Sequence, residues 1–111
     1  MRHVETTRLR RRAFTVLHKT RTSQAATMTI RPGQASSNDA SNEHGWADQW
    51  LYVVAGSGTA RVADRSVRLR EGSLLLIGKH EPHIIRNTGR TNLVTVNIYA
   101  PPAYAADGEP L

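Results

Sequence analysis

The chain has 111 residues, with 15 Lys and Arg against 9 Asp and Glu, a net charge of +6 at neutral pH and a sequence pI near 10.8. That length makes one domain, because domains commonly run to about 100–150 residues and a chain this short has no room for two cores. The lack of cysteine excludes a disulfide framework, a thiolate metal site and a cysteine nucleophile, and no apolar run approaches the ~20 residues of a membrane helix.

The charge is unevenly placed. Within residues 1–22, Arg2, Arg8, Arg10, Arg11, Arg12, Lys19 and Arg21 face Glu5 alone, and the rest of the chain carries equal numbers of basic and acidic side chains. A basic balance would ordinarily point to nucleic acid or an anionic surface. Arg8-Leu9-Arg10-Arg11-Arg12 has no interleaved aromatics and no base-reading element. We read it as a solvated arm whose charges discourage edge-to-edge strand pairing, not as a nucleic-acid site. The N-terminus has a basic start but no apolar h-region, so the expectation is a soluble cytoplasmic protein without a secretory signal.

Helix-period patterns are nearly absent, and short β-type runs recur between turn signals. Ala13 to Leu17 reads as a first strand. Ala25 to Ile30 alternates and stops at Arg31-Pro32-Gly33. Gln34 to Ser41 is polar and loop-like. Trp50 to Val54 is a strong strand ending at Gly56-Ser57-Gly58, a hairpin-type turn. Thr59 to Val62 and Val67 to Leu69 follow. Leu74-Leu75-Leu76-Ile77 is wholly apolar, which predicts a strand covered on both faces. His83 to Arg86 and Leu93 to Ala100 complete the series, and Pro101-Pro102 stops the last strand. Ala103 to Leu111 carries no element signal. Roughly eight short strands at about 8–12-residue spacing predict an all-β sandwich or barrel.

Chemistry can reside at few places. His3 and His18 stand alone, whereas His44 and His83 each precede or begin a strand. Residues two apart in extended chain share a face, so Asn42 points with His44, Gln49 with Leu51 and Val53, and His83 with Ile85 and Asn87. If these faces line one barrel, Asn42, His44, Gln49 and His83 converge. Two imidazoles and two amide oxygens suit a borderline divalent ion. A slip in the loop register would bring Asp48 inward instead of Gln49. Trp46 could wall a pocket mouth or pack at a contact. Trp50 and Tyr52 share the opposite face and are expected between the sheets or at a subunit interface. Asn87 reads as a turn-forming structural residue and His80 as an exposed turn residue. No serine has a nucleophile-elbow context, and Gly56-Ser57-Gly58 precedes no helix that would make it a phosphate loop.

These two segments resemble the two motifs of the cupin superfamily. In the first, Gly33 opens the motif, Asn42-Glu43-His44 stands at its His-x-His, Gln49 at its Glu, and Gly56 closes it. In the second, Gly72 opens, Gly78-Lys79-His80 stands at Pro-x-Gly, His83 at the metal histidine and Asn87 at the Asn. Asn97 to Pro102 resembles the end of small single-domain cupins, and the whole resemblance covers about residues 14–104. It implies a single-domain double-stranded β-helix, a jelly-roll-like barrel. The parts would be a basic arm at 1–12, the barrel at 13–104 and a tail at 105–111. It implies a divalent ion (Zn, Ni, Mn or Fe) held by Asn42, His44, Gln49 and His83, beside a small organic molecule in the barrel mouth. Dioxygenase, isomerase and cyclase chemistry all occur among cupins, as does ligand binding or sensing without catalysis. Pairing of small cupins through sheet edges implies a homodimer. Two departures matter: Asn42 replaces the first histidine and Gln49 replaces the carboxylate. The ligand set is therefore neutral, which weakens affinity for the ion and argues against a two-His-one-carboxylate oxygenase.

Overall fold

The computed structural model describes residues 1–37 and 45–111, and its regular structure is β apart from one 3-10 turn at Thr6–Leu9. The described strands are β1 Phe14–Lys19, β2 Gln24–Ile30, β3 Asp48–Ala55, β4 Gly58–Val62, β5 Arg65–Leu69, β6 Leu74–Ile77, β7 His83–Arg86 and β8 Leu93–Ala100. The bounds of β6, β7 and β8 match the sequence reading. β3 begins earlier than expected, because Asp48 and Gln49 pair with Ala100 and Tyr99 of β8.

The strands form two antiparallel sheets, ordered β1-β2-β8-β3-β6 and β5-β4-β7. Their apolar faces meet. Leu51, Val53, Ile77 and Leu93 of the larger sheet cluster with Ala60, Leu69 and Ile85 of the smaller one. Burying each large aliphatic side chain stabilises the fold by about 1.5–3 kcal/mol, so this cluster is the principal source of stability. The result is the all-β barrel that the strand pattern predicts, in the jelly-roll form that the resemblance implies.

The turn between β3 and β4 shows why two glycines stand there. Gly56 has φ +88, and a Cβ on it would collide with the Asn92 carbonyl oxygen; a Cβ on Gly58 would collide with that of Arg86. The hairpin packs directly on the neighbouring backbone, which only glycine permits.

β6 corrects one expectation. Ile77 is buried, but Leu74 is 61% and Leu76 46% exposed. β6 ends its sheet and pairs with β3 alone, so its outer face is open. Trp50 and Tyr52 lie on that same outer face, not between the sheets. Trp50 stands opposite Leu76 and Ile98, and Tyr52 opposite Leu74; all five side chains are exposed. A wholly apolar run does not distinguish a two-sided core strand from an apolar outer face.

The segment from Ala103 onward is folded against the barrel. The buried Gln24 side chain accepts the N–H groups of Ala103 and Tyr104 on Oε1, both at 3.0 Å, and donates from Nε2 to the Tyr104 carbonyl at 2.8 Å. Tyr104 meets Phe14 and Tyr99 edge-on, at centroid separations of 4.9 and 5.1 Å. The Leu111 N–H donates back to Ala103, closing the tail on itself.

Candidate ligand and metal site

The inward faces of β3 and β8 change character along their length. On β3 they run Val53, Leu51, Gln49, and on β8 Leu93, Thr95, Asn97, Tyr99. Val53 stands opposite Thr95, Leu51 opposite Asn97 and Gln49 opposite Tyr99, so the polar character of the interior rises along β8 toward Gln49 and Tyr99.

A hydrogen-bond chain sets their orientation. The Met28 carbonyl can only accept, so Thr95 Oγ1 donates to it at 2.9 Å. Thr95 Oγ1 then accepts from Asn97 Nδ2 at 3.0 Å, and Asn97 Oδ1 accepts from Gln49 Nε2 at 2.8 Å. With the polarity fixed from its backbone end, the chain leaves Gln49 Oε1 pointing elsewhere. Gln49 is 2% exposed, and its Oε1 is buried with no hydrogen-bond partner among the described residues. An unpaired buried carbonyl oxygen costs about 1–3 kcal/mol.

His83 opens β7, opposite Val62 of β4, and is half-buried. Its Nδ1 lies 3.1 Å from the Glu81 carbonyl. A carbonyl only accepts, so Nδ1 is the donor in this contact. A backbone carbonyl behind the ring is the arrangement that orients a ligating imidazole.

Gln49 and His83 line one cavity of about 850 Å³, within the ~300–1,000 Å³ range of small-molecule sites. Tyr99, Tyr104 and Ser36 also face it. Ser36 is placed by pairing along β7, its N–H donating to the Ile85 carbonyl and its Oγ accepting from the Ile85 N–H.

The structure therefore brings together two of the four predicted ligands. Asn42 and His44 lie outside the described residues. Among the described residues no group of three or more His, Asp or Glu forms a ready-made metal cluster. The loop-register alternative resolves in favour of Gln49: Asp48 Oδ1 accepts the Lys79 N–H at 3.1 Å at the strand end, away from the cavity lining. Trp46 is likewise not part of that lining and donates from Nε1 to the Pro102 carbonyl. His80 is exposed at φ 66, in its turn. Asn87 is structural: it is 2% exposed, donates to the Ile30 and Thr91 carbonyls and accepts the Gly89 N–H.

Several lining residues were not anticipated. Arg11 and Phe14 reach the cavity from the N-terminal side, Arg31 from the turn after β2, and Tyr104 from the tail. Polar residues at the inward positions of β8 were a readable signal for Asn97 and Tyr99. Arg11 had none, because its position follows from how the arm folds back.

A cupin domain family model matches residues 26–99. The fold is similar to that of TT1209 from Thermus thermophilus, with TM-score 0.78 and 22% identity over 91% of this chain and 98% of that one. It is also similar to BH2720 from Bacillus halodurans, with TM-score 0.80 and 24% identity over 98% and 85% of the two chains. A Thermotoga maritima protein described as a predicted oxalate decarboxylase superposes with TM-score 0.65 and 22% identity over 74% and 69%. At these identities the likeness is one of fold. No curated protein matches the sequence.

Proposed function

The chain belongs to the cupin domain family, and from that premise we propose that the polar end of its barrel holds a divalent metal ion beside a small organic ligand. The observation that carries this reading is the buried, unpartnered Gln49 Oε1 in the same cavity as His83. An amide oxygen and an imidazole nitrogen are donors that borderline ions such as Zn, Ni, Mn or Fe accept, and the described residues fit that role. Asn42 and His44 would complete the set. All four donors are neutral, so the full charge of the ion stays in the site and binding is weaker than with a carboxylate.

Each residue has a defined task. Asn97 and Thr95 hold the Gln49 amide so that its oxygen stays turned away from the relay. Glu81, through its backbone carbonyl, orients the His83 ring. Tyr99, Tyr104 and Ser36 add polar residues to the lining of the same cavity. A bound ion would supply Lewis acidity, polarising a ligand oxygen at an open position. Oxygenase, isomerase or cyclase chemistry would each start from there, and fold alone selects none of them.

The relay also favours a second reading, in which Gln49 Oε1 accepts a hydrogen bond directly from a sugar or acid that the protein binds without turnover. We further propose a homodimer formed through β6 and the apolar outer face of its sheet. Metal analysis of protein purified without added metal, repeated on His83→Ala, tests the first reading. We expect the wild type to retain metal and the variant to lose it; equally little metal in both would overturn it. Metal-dependent turnover then separates an enzyme from a binding module, which would show ligand-induced thermal stabilisation only.

A further inference from the structure

We infer that the cavity selects anionic ligands, carboxylate-bearing small molecules, through Arg11 and Arg31 at its rim. The inference rests on the reading of this cavity as the ligand site and names its substrate class. It also assigns a task to part of the basic arm, which the sequence places outside both motifs.

Arg11 is delivered by a tethered backbone. The Arg12 N–H donates to Leu9 at 3.0 Å, closing the turn before it, and the Ala13 carbonyl accepts the Thr29 N–H at 2.9 Å just after it. β1 and β2 pair as Phe14 opposite Met28, so the entry to β1 and the exit from β2 lie at the same end of the sheet. Arg31 leaves β2 there, and its carbonyl accepts the Gln34 N–H at 3.0 Å. Both arginines line the cavity. Neither makes an ion pair among the described residues, and no Asp or Glu is among the described residues that line the cavity.

The two guanidinium groups belong to the same end of the sheet, and the described residues that line the cavity hold no carboxylate to offset them. Such a rim raises the local concentration of anions and presents forked donors suited to a carboxylate. The lining beyond it includes the Gln49 oxygen, which has no hydrogen-bond partner among the described residues. The natural fit is a small acid whose carboxylate meets the arginines while its hydroxyl donates to Gln49. A divalent ion at Gln49 and His83 would add to the same preference, since all the proposed donors are neutral.

The test compares malonate with its neutral analogue malonamide by thermal shift and by NMR titration of the full chain. Both run on chelator-treated protein, so that metal plays no part, at constant ionic strength. We expect malonate to raise the melting temperature and to shift the amide signals of Ala13 and Ser36, with malonamide weaker by at least about tenfold. Each of Arg11→Gln and Arg31→Gln should weaken malonate by about tenfold, the effect of one charge-assisted contact, with unchanged folding by NMR. Equal binding of malonate and malonamide, or malonate affinity unchanged in both variants, would overturn the inference while leaving a ligand site in place. No shift at cavity residues with either compound would overturn the inference together with the ligand-site reading. Neither outcome bears on metal retention, which fails or holds separately.

Discussion

The two ends of the barrel interior are built by the same strands to opposite purposes. Toward one end Val53, Leu69 and Leu93 belong to an aliphatic cluster that reaches Leu51 in the middle of β3. At the other, along the same inward faces, stand Gln49, Asn97 and Tyr99, with His83 on the facing sheet. The aliphatic end gains stability from each buried side chain. The polar end carries an amide oxygen with no hydrogen-bond partner among the described residues, a cost to stability.

Substitutions can break this contrast, and their expected sizes differ. Leu51→Ala, at a position with 0% exposure, should lower unfolding free energy by about 2–5 kcal/mol, measured by urea denaturation. Gln24→Ala removes three buried hydrogen bonds to Ala103 and Tyr104. It should cost about 1–3 kcal/mol and free the tail, read as faster amide exchange at Tyr104 and Leu111. Gln49→Leu should change stability by less than about 1 kcal/mol, because relief of its orphaned oxygen offsets the loss of the donor to Asn97. The same variant should abolish metal retention. A Gln49→Leu protein as destabilised as Leu51→Ala would mean that the two ends do not differ in kind. Smallest in stability is Trp50→Lys on the outer face, where the side chain is 43% exposed. We expect a change within about 0.5 kcal/mol, together with a shift from dimer to monomer by light scattering.

Local patterns made most of the fold legible. Alternation in Asp48–Ala55 and Leu93–Ala100 and the glycines of the β3–β4 turn report on backbone neighbours, and those strands were read with nearly correct bounds. The face of β6 was misread because four consecutive apolar residues carry no period, and its exposure depends on standing at a sheet edge. The tail was missed because its order comes from Gln24, far away in sequence, and from aromatic contacts with Phe14 and Tyr99. At the site, Gln49 and His83 were legible from strand alternation and motif position. The rim was not: Arg11 looked like one charge in a solvated run, and only the pairing of Ala13 with Thr29 brings it to the cavity.

The most direct test of the central claim is anomalous scattering at the polar end of the barrel, from a crystal soaked in turn with zinc, nickel, manganese and iron salts. The account predicts a peak for at least one ion about 2.0–2.2 Å from the Nε2 of His83 and in contact with Gln49 Oε1. An ordered cavity with no peak under any of these salts, or a peak that leaves Gln49 and His83 untouched, would contradict it.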